Sequence, residues 1–484
     1  MQFHKMIAGI AAGLLCMTSA VLPVFAEETT QEAKKTYEDG MFTYAYVDGG
    51  VELSACDTTA LSVTLPAETD GRKIVGIADG AFYSCANLQS VTLSDGLTYI
   101  GRYAFSGCES LQSVTIPDTV TEIGANTFSG CFALETLHLP AKLEEIPEGM
   151  CYTCAMLHDV NFPDTLKTIG DEAFYNCMSL TEIDLPDTLT SFGNYAFGFC
   201  SNLQNADIPR GVTALSGGTF AGCTSIPSVT IPKQLEDLGS LSFLGCTSLS
   251  AFEVEEGNLK YTAKDGVIYS IDETTLIAYP AGNDQPSFTI PEGVTIVHDA
   301  AFFHAEKLNT VEFPSTLQFV GAGAFDGCST LKSVTLPEGT EILYETAFAD
   351  CAALQHVSLP STLKGVGNYA FYNDPKLMEI TIPANCRTIG EYAFGYIEQS
   401  DDDGEKTPVK LEGFRQHGGG MSVIMIVGIV AGVAVLGVVV FLLIRVIRKN
   451  QKTTAEHDAE VIAHEDYESI AGKPEDDADD TPET

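Results

Sequence analysis

The sequence predicts a solenoid: a curved parallel β-sheet whose coils are closed by short helical or 3₁₀ turns, followed by one transmembrane α-helix. Two observations carry this. Phe82, Phe105, Phe128, Phe174, Phe197, Phe220 and Phe243 lie on a 23-residue grid with Cys151 at its one vacant node, and the grid resumes at Phe302, Phe325, Phe348, Phe371 and Phe394. A fixed period in this range is the mark of stacked repeats, each burying its apolar face against its neighbours. Residues 421–444 are uncharged, and 24 residues at about 1.5 Å each exceed a hydrocarbon core of about 30 Å.

In chain order, residues 1–26 combine Lys5, an apolar run and "VFA" ending at Ala26, which reads as a secretory signal peptide. Residues 27–66 form an N-terminal cap, because "FTYAYVDGGVEL" at 42–53 alternates apolar and polar residues around Asp48-Gly49-Gly50, a hairpin signal. The array occupies 67–395, interrupted by an insertion at about 252–290. Residues 396–420 are a C-terminal cap and stalk, with a cap strand around Val409 to Phe414. Arg445, Arg448, Lys449 and Lys452 follow the 421–444 helix at once, so the C-terminus is cytoplasmic and everything before Met421 lies outside. The tail, 445–484, is acidic and poor in apolar residues, which implies disorder.

One coil serves for all thirteen. Leu111, Val114 and Ile116 point inward from an extended segment that Pro117 ends, since proline has no N–H for a ladder. Asp118 and Thr119 turn the chain, Val120 and Ile123 return to the core, and Gly124 allows a tight corner before "NTFSGC" closes the coil. Coils stacked at about 4.8 Å make an array roughly 60 Å long.

The unit resembles the leucine-rich repeats of the BspA-like family, which read "LxxVxIPxxVxxIGxxAFxxCxx", and the resemblance covers nearly all of 37–415. It implies a leucine-rich repeat solenoid on a cell surface. It also implies participation in adhesion to host matrix proteins and in contacts between bacteria.

Composition narrows the partners. The chain carries a formal charge of −41, and residues 27–444 hold 19 basic against 54 acidic side chains. Nucleic acid, which is bound through clustered Lys and Arg, is therefore excluded. The motifs of serine hydrolases, zinc peptidases, P-loop enzymes and dinucleotide-binding enzymes are absent, so no catalytic residues are assigned and the expectation is not an enzyme.

Ten cysteines stand three residues after the grid node: Cys85, Cys108, Cys131, Cys154, Cys177, Cys200, Cys223, Cys246, Cys328 and Cys351. Cβ atoms in register on coils about 4.8 Å apart are too far apart for an unstrained disulfide, which wants about 3.8 Å. A linear ladder also does not surround a tetrahedral zinc. The reading is a structural column of buried thiols; disulfides and metal are the alternatives.

The side chains flanking the inward residue of each strand face solvent and form the candidate binding surface. They are mostly hydroxyl, with an acidic centre at Asp159, Glu182, Asp184 and Asp207. That centre suits a basic protein segment or a weakly held Ca²⁺, against the plainer reading of a solvated acidic stripe; no other cofactor is expected. Gly428 and Gly432 form a G-x-x-x-G that would let two membrane helices approach as a homodimer. The leading function is a cell-surface binding or adhesion protein with an extracellular protein ligand. The alternative is a structural or receptor-like envelope protein of its own cell.

Overall fold

The computed structural model describes residues 35–397 apart from Ser240, together with 407–408 and 410–412. The expected signal peptide at 1–26, the expected membrane helix at 421–444 with Gly428 and Gly432, and the acidic tail at 445–484 lie outside the described residues. By internal contacts the chain divides at Phe414, and every described residue belongs to the first unit.

Stacked coils of 23 residues form a β-solenoid of about 15 turns. Three-residue strands line one side: Ser62–Thr64, Ser90–Thr92, Ser113–Thr115, Thr136–His138 and Asp159–Asn161 pair parallel, with Ser113, Thr136 and Asp159 in register. A like ladder runs from Ser287–Thr289 to His356–Ser358. Their middle residues, such as Val91, Val114 and Leu137, are buried while the flanking residues face out, as a period of two requires. Two-residue strands such as Tyr99–Ile100 and Glu122–Ile123 make a second parallel ladder. The glycine after each is placed by close approach: a Cβ on Gly101 would lie 2.5 Å from the backbone nitrogen of Asp79 in the coil before.

The closing turns correct the sequence expectation. No α- or 3₁₀-helix occurs among the described residues. Two residues of the turn, two before and two after the grid node, take left-handed backbone, as Tyr103 (φ 54°) and Gly107 (φ 74°) do around Phe105. A right-handed helix does not survive a left-handed residue every four positions. The N–H groups instead reach the next coil: Tyr103 donates to Ala125, Phe105 to Thr127 and Gly107 to Ser129, at 3.0, 2.8 and 2.8 Å. The turns thus form a third line of inter-coil bonding.

At the N-terminus, β1 (Thr36–Asp39), β2 (Phe42–Val47) and β3 (Gly50–Cys56) form an antiparallel meander, and β3 then pairs parallel with Arg72–Ile77, Val51 opposite Ile74. The Tyr99 hydroxyl donates to the buried Glu52 at 2.5 Å, tying cap to array. At the other end Lys410–Glu412 pairs with Glu379–Thr381.

The interruption is shorter than the sequence suggests. Tyr279 lies 23 residues before Phe302, its N–H donates to Ala301 as a grid Phe would, and its ring stacks on Phe302 at 4.7 Å. It is a grid node, so the count of thirteen units is low. Tyr279 follows Phe243 by 36 residues, 13 more than one period. The extra residues are absorbed by antiparallel strands Tyr261–Lys264, Val267–Ser270 and Thr275–Ala278, the last of which rejoins the parallel ladder at Ile296–Val297. Asn258 anchors the departure from inside: its amide donates to Pro232 and Leu235 and accepts from Lys260 and Tyr261. The apolar core falls into two clusters that meet here.

Candidate functional site

The exposed residues of these three- and four-residue strands form two columns along the array. Ser90 and Thr92, Ser113 and Thr115, Ser228 and Thr230, and Glu379 and Thr381 are all exposed on either side of a buried residue. Each side chain repeats one coil on, so the face is a row of hydroxyls, carboxylates and amides fixed by a buried spine. Ser62 and Ser90 already bond across coils, Oγ to Oγ at 2.7 Å. Such a surface offers hydrogen bonds at regular spacing.

Asp159 opens the strand Asp159–Asn161, Glu182 and Asp184 flank the buried Ile183, and Asp207 follows the buried Ala206; all four carboxylates are exposed. At the 23-residue spacing of the repeat they fall in two columns, Asp159 and Glu182 in one and Asp184 and Asp207 in the other. Ion pairs among the described residues, such as Lys167 with Glu144 and Lys364 with Glu341, involve none of the four. The acidic coils also interrupt the strand ladder: 181–186 and 204–209 carry no strand.

An asparagine takes the place of the ladder between these two coils. The Asn205 amide accepts from the Ile183 N–H at 3.1 Å and donates to its carbonyl at 3.0 Å, taking both backbone groups that a strand would pair. It also donates to Asp207 at 2.9 Å, which orients that carboxylate. Asn161 does the same to Leu139, at 2.7 and 3.2 Å. Sequence reasoning named the carboxylates and passed over these two side chains, because Asn161 stands just past its coil's inward residue and Asn205 just before its own, so no common repeat position marks them. No three His, Cys, Asp or Glu side chains among the described residues converge to hold a metal.

The cysteine column sits apart, inside. All thirteen described cysteines carry free thiols and are buried. Nine of the ten in the column donate Sγ–H to the carbonyl of the preceding coil's grid residue, from Cys108 on Phe82 at 3.2 Å to Cys351 on Phe325 at 3.2 Å. Cys177 makes the same bond to the carbonyl of Cys151, the node without a ring. The thiol is therefore a small apolar side chain with one weak donor, used to join coils. Burial pushes Cys200 and Cys246 up to about 12, so these two are un-ionised at neutral pH.

In comparisons with known proteins, the description "BspA type Leucine rich repeat region" matches 75–203, 145–269 and 279–400. No curated protein matches. Among solved structures, a leucine-rich cell surface protein from Faecalibacterium prausnitzii superposes with TM-score 0.54 at 25% identity, covering 74% of this chain and 95% of that one. A leucine-rich repeat protein from Bacteroides ovatus shares 24% identity (TM-score 0.44; 72% and 95% covered). The pneumococcal vaccine antigen PcpA shares 22% (TM-score 0.44; 75% and 79%). With the family's unit matched over most of the array and its turn, strand and ring columns all formed, this chain belongs to the BspA-type leucine-rich repeat family.

Proposed function

We propose that the chain is a cell-surface protein that binds an extracellular protein ligand through the exposed columns of its three-residue strands. The observation that carries the reading is that face: two columns of hydroxyl and acid side chains held at fixed spacing by a buried spine, with exposed carboxylates at Asp159, Glu182, Asp184 and Asp207 that enter no ion pair among the described residues. An array of this length is able to bury the roughly 800 Å² per partner of a standard interface. The similar Faecalibacterium prausnitzii structure is that of a cell surface protein, which supports the same placement here. Signal peptide 1–26, a single-pass anchor at 421–444 and a cytoplasmic C-terminus complete the placement. Pairing through Gly428 and Gly432 is part of it. The chain acts as a scaffold and not as an enzyme.

The acidic centre receives a basic segment of the ligand. The test is binding of cells displaying the full chain to immobilised matrix proteins and to neighbouring bacterial cells, with and without Ca²⁺. Saturable binding that weakens at least about tenfold when Asp184 and Asp207 become Lys is expected, since reversing two charges turns attraction into repulsion. Binding that the two reversals leave unchanged would remove the strand face from the mechanism.

A further inference from the structure

Grid rings stack on either side of the insertion, from Phe174 to Phe243 and from Tyr279 to Phe394, and the stack is open at the insertion itself. Phe220 and Phe243 stack at 5.8 Å, and Tyr279 and Phe302 at 4.7 Å, but Phe243 packs on one core cluster while Tyr279 belongs to the other. Phe243 is partly exposed, whereas the rings from Phe82 to Phe220 and from Phe302 to Phe371 are at most 1% exposed. Both Phe243 and Tyr279 line a cavity of about 290 Å³. Its wall includes Leu249, Phe252, Ile268 and Ile277.

Two further features mark the place as unfinished. Tyr279 puts a hydroxyl where the column otherwise carries Phe, and that hydroxyl is buried without a hydrogen-bond partner, a cost the other ring nodes do not bear. The rim is acidic: the exposed Asp237 and Asp299 both line the cavity. Each is held in place through Oδ1, which accepts the N–H of Gly239 at 2.8 Å and of Ala322 at 2.7 Å respectively.

We propose that this gap is a binding site for a small planar aromatic amine, its ring between Phe243 and Tyr279 and its ammonium at Asp237 and Asp299. The volume lies at the lower end of ligand pockets, about 300 Å³, which limits the guest to one or two fused rings. The flanking rings favour a flat apolar body, by the stacking that orders the rest of the column. The two carboxylates select a cation over a carboxylate or phosphate ligand. The site is independent of the strand face.

Tryptamine is the probe. The protein contains no Trp, so indole emission reports the ligand alone. Purified full-length protein is titrated into tryptamine, and emission wavelength and anisotropy are followed, with indole as the neutral control. A saturable blue shift and anisotropy rise for tryptamine is expected. The double variant Asp237→Asn, Asp299→Asn keeps the Oδ1 acceptors and should weaken tryptamine about tenfold, the worth of one charge-assisted bond, while leaving indole unchanged. Phe243→Leu should weaken both probes. No saturable signal at millimolar tryptamine would overturn the proposal. So would tryptamine binding that the double variant leaves intact, which would place the amine elsewhere.

Discussion

Two buried aspartates break the pattern of their neighbours. Asp326 is 4% exposed and Asp374, standing where other coils have the thiol, is 2% exposed; each has an Oδ2 without a hydrogen-bond partner. Burial, then the charge of Asp350, pushes Asp326 up to about 7. Burial also holds Asp374 well above the usual carboxylate range, although its Oδ1 accepts the Cys351 N–H at 2.8 Å. A carboxyl whose pKa is raised by folding binds its proton more tightly in the native state. Its contribution to stability is full below about pH 4 and is lost as pH rises through about 7. Asp326→Asn should therefore change stability little at pH 4 and raise it at pH 8 by up to roughly 4 kcal/mol, at 1.36 kcal/mol per tenfold in affinity for the proton. Urea melts at the two pH values check this, and an equal effect at both would show that ionisation is not the cost.

The closing turn is the element that most distinguishes this solenoid, and its thiols are its test. Buried, and nine of the ten engaged on carbonyls, they should resist iodoacetamide at pH 8 in the native protein. Intact mass should show the ten column positions unlabelled until denaturant is added, then all labelled together. Labelling of several in native buffer would contradict the packing. How these turns close was only half legible. Phe and Cys at fixed spacing announced the coil, and alternation at Ser90 to Thr92 announced its strand. The left-handed backbone at Tyr103 or Glu172 was hidden, because neither residue type prefers it and the inter-coil bonds impose it. Helical turns were the expectation for that reason. On the strand face the exposed carboxylates were legible from the period of two. The lapse of the ladder beside them was not, since Asn205 competes with a strand through its side chain, which leaves no trace in periodicity.

At the scale of the whole molecule, the insertion divides what the repeats unite. A tyrosine at the node and 13 extra residues shifted the phase enough to hide Tyr279, although Ala278-Tyr279 stands one period before Ala301-Phe302. Because the core has two clusters that meet at a cavity, the array should unfold in two steps. Phe128→Ala should lower only the transition of the N-terminal cluster, and Phe348→Ala only the other, each by about 3–5 kcal/mol. Calorimetry on each variant separates the two, and a single transition shifted alike by both would show one cooperative core.

A stack of identical coils has a hazard of its own, since a chain that skips one coil and docks on the next satisfies nearly the same bonds. The irregular coils remove that degeneracy. An array displaced by one unit would set the small Cys151 where a neighbour needs a ring, offer the Asn205 amide to a strand already paired, and leave the 13 extra residues with no gap to fill. These departures act as index marks, telling each coil which position it occupies while the chain folds.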